Sequence, residues 1–322
     1  MSHEFENGLF VGRPAWHGLG TVLAAPPSIE EAIKSSGLDW EVDLHDLYIQ
    51  RPKVSAEDAS VSVESVKVSH RATVRRTDNS VLGVVGPDYV PLQNREAFQW
   101  FQPFIEDKAA AIEAAGSLRS GKKVWILAKV ADATNDIVKG DAVEQFILLA
   151  HAHDGSLSIR VGFTVIRVVC ANTLALSMNA SSSKLLKVKH TRNAKVALAE
   201  IREVMNLAKA EFAATAEQLR FLASVGCSET SLARFVREVF NPGEADNEDA
   251  ATRLIKQIQP LFEAGVGAEF HRGTYWGALN ALSEHVTHFQ GHSQDGRVDS
   301  QWFGKGNQLL QRGLEVALEF AR

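Results

Sequence analysis

Two histidines separated by one residue, His151 and His153, suggest metal chemistry in the string HAHDGS. Residues two apart on a strand point to the same side of a sheet, and Asp154 follows them. A catalytic metal needs three or four protein ligands and an open position for water, so His190, His285 or His288 would have to converge on them from elsewhere in the chain. Asp-Gly is also an ordinary turn signal. A metal-dependent nuclease or hydrolase using His151, His153 and Asp154 is therefore the alternative hypothesis.

Positive charge is concentrated in the same part of the chain. Between His151 and Lys195 there are seven basic residues and one acid, although the whole chain has a formal net charge of -5. The seven are Arg160, Arg167, Lys184, Lys187, Lys189, Arg192 and Lys195. A local excess of positive charge in an acidic protein is better explained by a polyanionic partner than by solubility. A nucleic-acid backbone is the commonest such partner.

A second basic group lies upstream, in the string GSLRSGKKVWILAKV that begins at Gly116. The string predicts a glycine-turned hairpin with Arg119, Lys122 and Lys123 at its tip and Trp125 close by. Cations beside an aromatic ring can hold phosphates and stack a base. The competing interpretation is a solvated turn with Trp125 in the core.

The basic stretch divides into a strand and a connector. Arg160 and Arg167 are seven residues apart, so on an unbroken strand they face opposite sides unless a bulge near Gly162 intervenes. Residues 181–195 form a polar, Ser-rich connector before a long helix, and such a connector can track a phosphate backbone through side chains and free amides. It can equally be a flexible linker, and the two interpretations are compatible.

The elements that must position these residues follow two periodicities. From about Trp40 to Cys170 apolar and polar residues alternate with period two, which predicts antiparallel strands, interrupted by a helix at residues 94–108 that Pro103 kinks. From Thr191 the period is near 3.6, which predicts helices. The sequence thus predicts an α+β fold, with an antiparallel sheet and basic hairpin packed against helices. We divide it into a nucleic-acid-binding sheet domain, residues 1–190, and a helical domain or extension, residues 191–322.

Composition and missing motifs exclude several classes. With 322 residues and 45% hydrophobic residues, the chain can bury one large or two moderate cores. Its two cysteines, Cys170 and Cys227, make no CxxC pair, which argues against a disulfide framework and favours a reducing cytosol. We expect no signal peptide, no membrane span and no membrane partner, and therefore a cytoplasmic protein. No GxSxG, HExxH, Walker or GxGxxG motif occurs, so we expect a non-enzymatic, ATP-independent protein without a cofactor.

Several longer strings occur in an order that resembles a known family. They are WHGLG, YVPLQNREAF, AAGSLRSGKKVWILAKV, HDGSLSIRVGFTVIRVVCANTL, a KHT step before the long helix, GTYWGALNALSEHVTH and WFGKGNQLL. Over nearly its whole length the chain resembles the phage- and plasmid-related proteins grouped as the domain of unknown function 932 family. The resemblance implies a mobile-element protein.

At the level of architecture, a curved sheet, a basic hairpin and packed helices are similar to the Rad52-like and Red-beta-like annealing proteins. That similarity implies a single-stranded DNA groove lined by Arg119, Lys122, Lys123, Trp125, Arg160, Arg167, Lys184, Lys187, Lys189 and Arg192. The leading hypothesis is a homo-oligomeric ring or filament that anneals complementary strands, with a host recombination or replication factor as a further partner. A host-interaction protein whose basic patch contacts an acidic protein is the third hypothesis.

Overall fold

The computed structural model describes residues 7–12, 20–54, 61–167, 173–174, 186–240, 248–290, 300 and 304–322. The fold is α+β, as predicted, with antiparallel sheets in the N-terminal half and helices in the C-terminal half. No helix in these ranges is long and apolar enough to cross a membrane.

The larger sheet, sheet A, has eight strands in the order β10-β9-β8-β7-β6-β1-β2, and β11 also pairs with β9. All of its neighbours are antiparallel except β1 and β2. The strands are β1 Gly8–Val11, β2 Thr21–Leu23, β6 Ala110–Leu118, β7 Lys123–Val138, β8 Asp141–Ala152, β9 Ile159–Arg167, β10 Thr173–Leu174 and β11 Leu186–Val188.

The smaller sheet, sheet B, has three antiparallel strands: β3 Val42–Val54, β4 Val61–Arg75 and β5 Val81–Val85. It touches sheet A at the turn between β8 and β9. A Cβ added to Gly83 of β5 would lie 2.5 Å from the Cα of Asp154 in that turn, so only glycine fits this approach.

Three short helices precede the helical half: α1 Ile29–Ser35, α2 Asn94–Gln99 and α3 Gln102–Glu106. The predicted helix over residues 94–108 is therefore two helices that meet at Trp100 and Phe101. The second begins with Pro103 in its first turn, where a missing amide proton costs no helical hydrogen bond. Proline starts a new helix here instead of kinking a continuous one.

The helical half packs on one face of sheet A. Alternate residues of β7, namely Val124, Ile126, Ala128 and Val130, join one continuous core with buried residues of the helices, including Phe212, Leu219, Phe235, Trp276 and Val316. The helices are α4 Ala194–Ser224, α5 Glu229–Phe240, α6 Glu248–Ala264, α7 Tyr275–Glu284 and α8 Lys305–Ala321. The predicted boundary near Thr191 lies just before α4, and the sheet and the helices share one core.

A buried ion pair fastens the end of β9 to the helices. The Arg167 guanidinium contacts the Asp141 carboxylate at 2.5 Å, and both side chains are completely buried. Arg167 also donates to the carbonyl oxygens of Val266 and Gly267, each at 3.0 Å. The Trp276 indole donates to the other Asp141 oxygen at 2.9 Å. The two carboxylate oxygens of Asp141 thus accept one hydrogen bond from the sheet and one from the helical half.

Candidate nucleic-acid interface

Strand register brings three separate chain segments to one end of sheet A. Leu118 pairs with Lys123, Lys123 with Ala152, Ala150 with Arg160, and Arg160 with Lys187. The β6–β7 turn, the β8–β9 turn and the chain after β11 therefore all leave the sheet at the same end. Four strand spacings separate β6 from β11, which is about 19 Å.

This end carries the cationic side chains that the sequence singled out and that solvent can reach. Arg119 is exposed and Lys122 half-buried in the β6–β7 turn, while Lys187, Lys189 and Arg192 are exposed on or just after β11. We call these five residues the basic edge. Lys195, one helical turn further on, is also exposed but pairs with Glu96 at 2.6 Å.

The hairpin tip holds its two cations in a fixed turn. Arg119, Ser120 and Gly121 have positive φ angles of 54°, 55° and 85°, and the Lys122 amide donates to the Arg119 carbonyl at 3.3 Å. The Lys122 carbonyl accepts from the His153 amide at 2.7 Å, which ties the tip to the β8–β9 turn. Left-handed backbone at two non-glycine residues is uncommon and costs free energy, so the surrounding contacts must maintain it.

Three of the predicted DNA contacts lie inside the protein. Lys123 is 7% exposed and Trp125 is 4% exposed, and the Trp125 ring lies in a core on the second face of sheet A, 6.3 Å from the Phe10 ring. A Cβ at Gly116 would lie 3.1 Å from Trp125 Cζ2, so the glycine makes room for the indole. Arg167 is buried in its ion pair. In these positions none of the three side chains reaches a ligand on the surface.

Arg160, another predicted DNA contact, adjoins the basic edge. Arg160 is half-buried and lies directly opposite Lys187 across the β9–β11 ladder, so the two side chains share a sheet face and extend the basic edge along it. Arg160 and Arg167 differ in exposure: Arg160 is partly exposed at the surface, whereas Arg167 is enclosed in the core. Lys184 lies outside the described residues.

Three histidines meet beneath the basic edge, where segment 86–94 covers the end of the sheet. The His151 and His153 rings are 4.8 Å apart and those of His151 and His190 are 6.0 Å apart. Tyr89 stacks on His190 at 4.8 Å and Trp40 lies 5.3 Å from His153. All three histidines are buried. We call them the histidine cluster.

Hydrogen bonding fixes one member of the cluster. The Asn94 side-chain amide donates to the Leu38 carbonyl at 3.1 Å, which leaves Asn94 Oδ1 as an acceptor. It lies 3.0 Å from His153 Nε2, so His153 carries its proton on Nε2. The Tyr89 hydroxyl donates to the Ala152 carbonyl at 2.7 Å and closes the region above the cluster.

The histidine cluster is neutral at physiological pH. Burial lowers the pKa of His153 to about 3, with the charge of His190 as a further cause. Burial likewise lowers the pKa of His190 to about 4 and that of His151 well below its usual value. Neutral rings in contact with one another and with Trp40 and Tyr89 pack as a partly apolar layer under the basic edge.

The metal hypothesis is not supported by this geometry. His190 does join His151 and His153, but in the described ranges no three His, Cys, Asp or Glu side chains are placed to hold a metal ion. Asp154 is engaged in a turn, where its carboxylate accepts from the Ser156 amide at 2.9 Å. The Asp-Gly turn interpretation of this string is the one that the structure shows.

A surface pocket of about 400 Å³ adjoins the other side of Trp40. Two arginines line it, but both are occupied by carboxylates. Arg76 pairs with Asp43 at 2.7 Å and also with Glu41, and Arg95 pairs with Asp39 at 3.0 Å and also with Glu30. The pocket therefore offers an aromatic wall and little uncompensated charge.

Sequence reasoning did not find the residues that complete the histidine cluster. Trp40, Tyr89 and Asn94 come from three segments that are remote from HAHDGS, and only the HAH string itself gave a signal. His190 was named as one of several histidines able to converge there, and the fold selects it.

A family model described as "Domain of unknown function (DUF932)" matches residues 81–302, a range that contains the basic edge and the histidine cluster. No curated protein matches the chain. No solved structure matches it either.

Proposed function

The chain belongs to the DUF932 family, whose function is unknown, and we propose that it binds single-stranded DNA without ATP and promotes annealing of complementary strands. The observation that carries the proposal is the basic edge. Cations from the β6–β7 turn and from the β11–α4 connection converge at one end of sheet A in a chain of net charge -5. Five cationic side chains spread over about 19 Å suit a flexible polyanion better than a small ligand.

The proposed contact is with phosphates and not with bases. Trp125, the aromatic residue predicted to stack a base, is buried, and the basic edge consists of Lys and Arg side chains. Cations without a base-reading partner bind nucleic acid independently of sequence and leave bases free to pair. One basic edge covers only a few nucleotides, so annealing also requires several copies of the chain on one strand.

Charge reversal at the hairpin tip tests this proposal. We expect Arg119→Glu/Lys122→Glu to weaken binding to a single-stranded oligonucleotide at least about tenfold, because two phosphate contacts become repulsive. The slope of log K against log salt concentration should fall by about 1.4, since each lost contact to a single strand removes about 0.7. Fluorescence anisotropy across a salt series, with single-stranded and duplex oligonucleotides, measures both quantities.

The matched control is Arg253→Glu/Lys256→Glu on α6, which changes the net charge equally at two exposed positions of the helical half. It should bind DNA like the unchanged protein. Equal losses in the two variants would assign the effect to net charge, and no binding of the unchanged protein at low salt would end the proposal. An annealing assay with fluorescent complementary strands, without ATP, separates annealing from binding alone.

A further inference from the structure

The outer part of the β3–β4 hairpin extends beyond the rest of sheet B. β5 pairs with β4 only from Arg71 to Val74, so residues 48–54 and 61–67 form a two-stranded extension, which we call the ribbon. Every residue of the ribbon is exposed except Val66, which is half-buried. Isolated two-stranded hairpins are marginal in water, so a ribbon of this length is unusual without a covering partner.

Register divides the ribbon into two unlike faces. On one face Pro52 lies opposite Val63 and Val54 opposite Val61, and the hydrogen-bonded pair Gln50 and Ser65 separates them from Tyr48. On the other face Arg51 lies opposite Glu64 and Lys53 opposite Ser62, with Ile49 opposite Val66 nearer the base. Alternation of apolar and polar residues is typical of a sheet with one face covered and one in water. Here the apolar face is uncovered: Val54, Val61 and Val63 are 64%, 69% and 68% exposed.

The apolar face of the ribbon continues a face that is buried at its base. Val42, Thr73 and Val85 lie on that same face of sheet B, and all three are buried. There the sheet packs on the β8–β9 turn, where Gly83 approaches Asp154. The same face thus packs on the protein at its base and projects uncovered beyond it.

Charge and area indicate what covers this face. Its one charged ribbon residue, Lys67, already pairs with Asp46 at 2.6 Å, so the face does not suit nucleic acid. Tyr48, Pro52, Val54, Val61 and Val63 together expose on the order of 500 Å², the size of the apolar patches that mark interaction sites. Two such faces in contact bury about 1,000 Å², and their polar rims bring the total close to the lower limit for specific interfaces.

From this we infer that the ribbon is a self-association arm, whose apolar face packs on the same face of a second copy about a two-fold axis. A two-fold contact is self-complementary, so the same valines serve both copies. An interface at the low end of the size range forms reversibly at micromolar concentrations. The inference supplies one contact of the assembly that annealing requires, because a two-fold contact by itself joins two copies. It rests on the proposed function only in that respect, since assembly is measured without DNA.

Two neighbouring lysine substitutions test the arm. Val63→Lys places a charge on the apolar face and Ser62→Lys places the same charge on the polar face, one residue away on the same exposed strand. Sedimentation velocity from about 1 to 100 µM, without DNA, should show the unchanged 35.2 kDa chain forming dimers. We expect Val63→Lys to raise the dissociation constant at least about tenfold and Ser62→Lys to change it little.

Circular dichroism checks that both variants remain folded, which their exposed positions favour. An unchanged protein that stays monomeric throughout the range would overturn the inference, as would equal weakening by both lysines. DNA binding that changes in Val63→Lys but not in Ser62→Lys, with unaltered self-association, would assign the face to nucleic acid instead. Loss of dimers with retained DNA binding would leave the basic edge intact, so the two proposals can fail separately.

Discussion

Replacing Asp141 with alanine is expected to lower the free energy of unfolding by about 3–5 kcal/mol, because it leaves the Arg167 cation buried without its counter-charge. Both side chains are completely buried at the junction of sheet and helices. The same substitution removes the acceptor of the Trp276 indole proton. Urea unfolding followed by circular dichroism measures the loss.

Two further variants serve as controls for Asp141→Ala. Asp46→Ala breaks the ion pair with Lys67, in which both side chains are substantially exposed, and should cost less than about 1 kcal/mol. Asp141→Ala/Arg167→Met removes both buried charges and should recover part of the stability, since an apolar side chain replaces the unpaired cation. A loss below about 1 kcal/mol for Asp141→Ala alone would mean that water reaches Arg167 after all.

Acidification is expected to unfold the protein well before its carboxylates titrate. The pKa values of His151, His153 and His190 are lowered by burial, so the unfolded chain binds protons between about pH 6.5 and 4 that the folded chain does not. Stability is therefore fully present above the unfolded pKa and is lost as the pH falls below it. His153 and His190 each contribute a loss of roughly 2 kcal/mol between pH 7 and pH 5, and His151 contributes a loss of the same sign.

The losses at the three histidines have the same sign, so together they are a substantial part of the stability of an ordinary domain. His271, whose pKa is lowered to about 4 by burial and by Arg167, acts in the same direction. Urea midpoints at a series of pH values between 7 and 4.5 give the dependence directly. The curve should be steepest below pH 6.

Replacing one imidazole tests whether the histidine cluster causes the loss of stability in acid. His151→Phe keeps a buried aromatic ring but cannot take up a proton, so stability should fall less steeply with acid over the same interval. His70→Asn, at an exposed position of β4, serves as the control and should leave the curve unchanged. A pH dependence identical in all three proteins would show that His151 takes up its proton as readily in the folded chain as in the unfolded chain.

Local pattern predicted most of the elements around the candidate interface. Period-two alternation found β3, β4, β5, β7, β8 and β9, and the Gly121 turn with its flanking basic residues found the β6–β7 hairpin, because strand and turn preferences act over a few neighbouring residues. The short strands β1, β2, β10 and β11 lie outside the range predicted as strands, and β11 lies in the segment predicted as a polar connector. The helix at residues 94–108 was placed correctly but not divided. Proline at the start of a helix and proline that kinks one have the same local signature, and packing decides between them.

The sequence also does not show which side of a strand meets a core. Trp125 and Lys123 sit on the second face of sheet A, which is covered as well as the first, so both are buried. Arg167 is as basic as Arg160, yet one is enclosed by Asp141 and the other is half-exposed. Both residues are arginines, so only their partners distinguish them, and the partner of Arg167 is remote in sequence.

By itself the sequence determined the fold class, the family resemblance and the concentration of basic residues in two segments, since these depend on composition, local periodicity and ordered strings. Only the tertiary structure decided which cations share the basic edge, that His190 meets His151 and His153, and that the ribbon is left uncovered. Those outcomes depend on strand register and on contacts between residues tens of positions apart. A one-residue change of register would move every such side chain to the opposite face, so no local pattern can specify them.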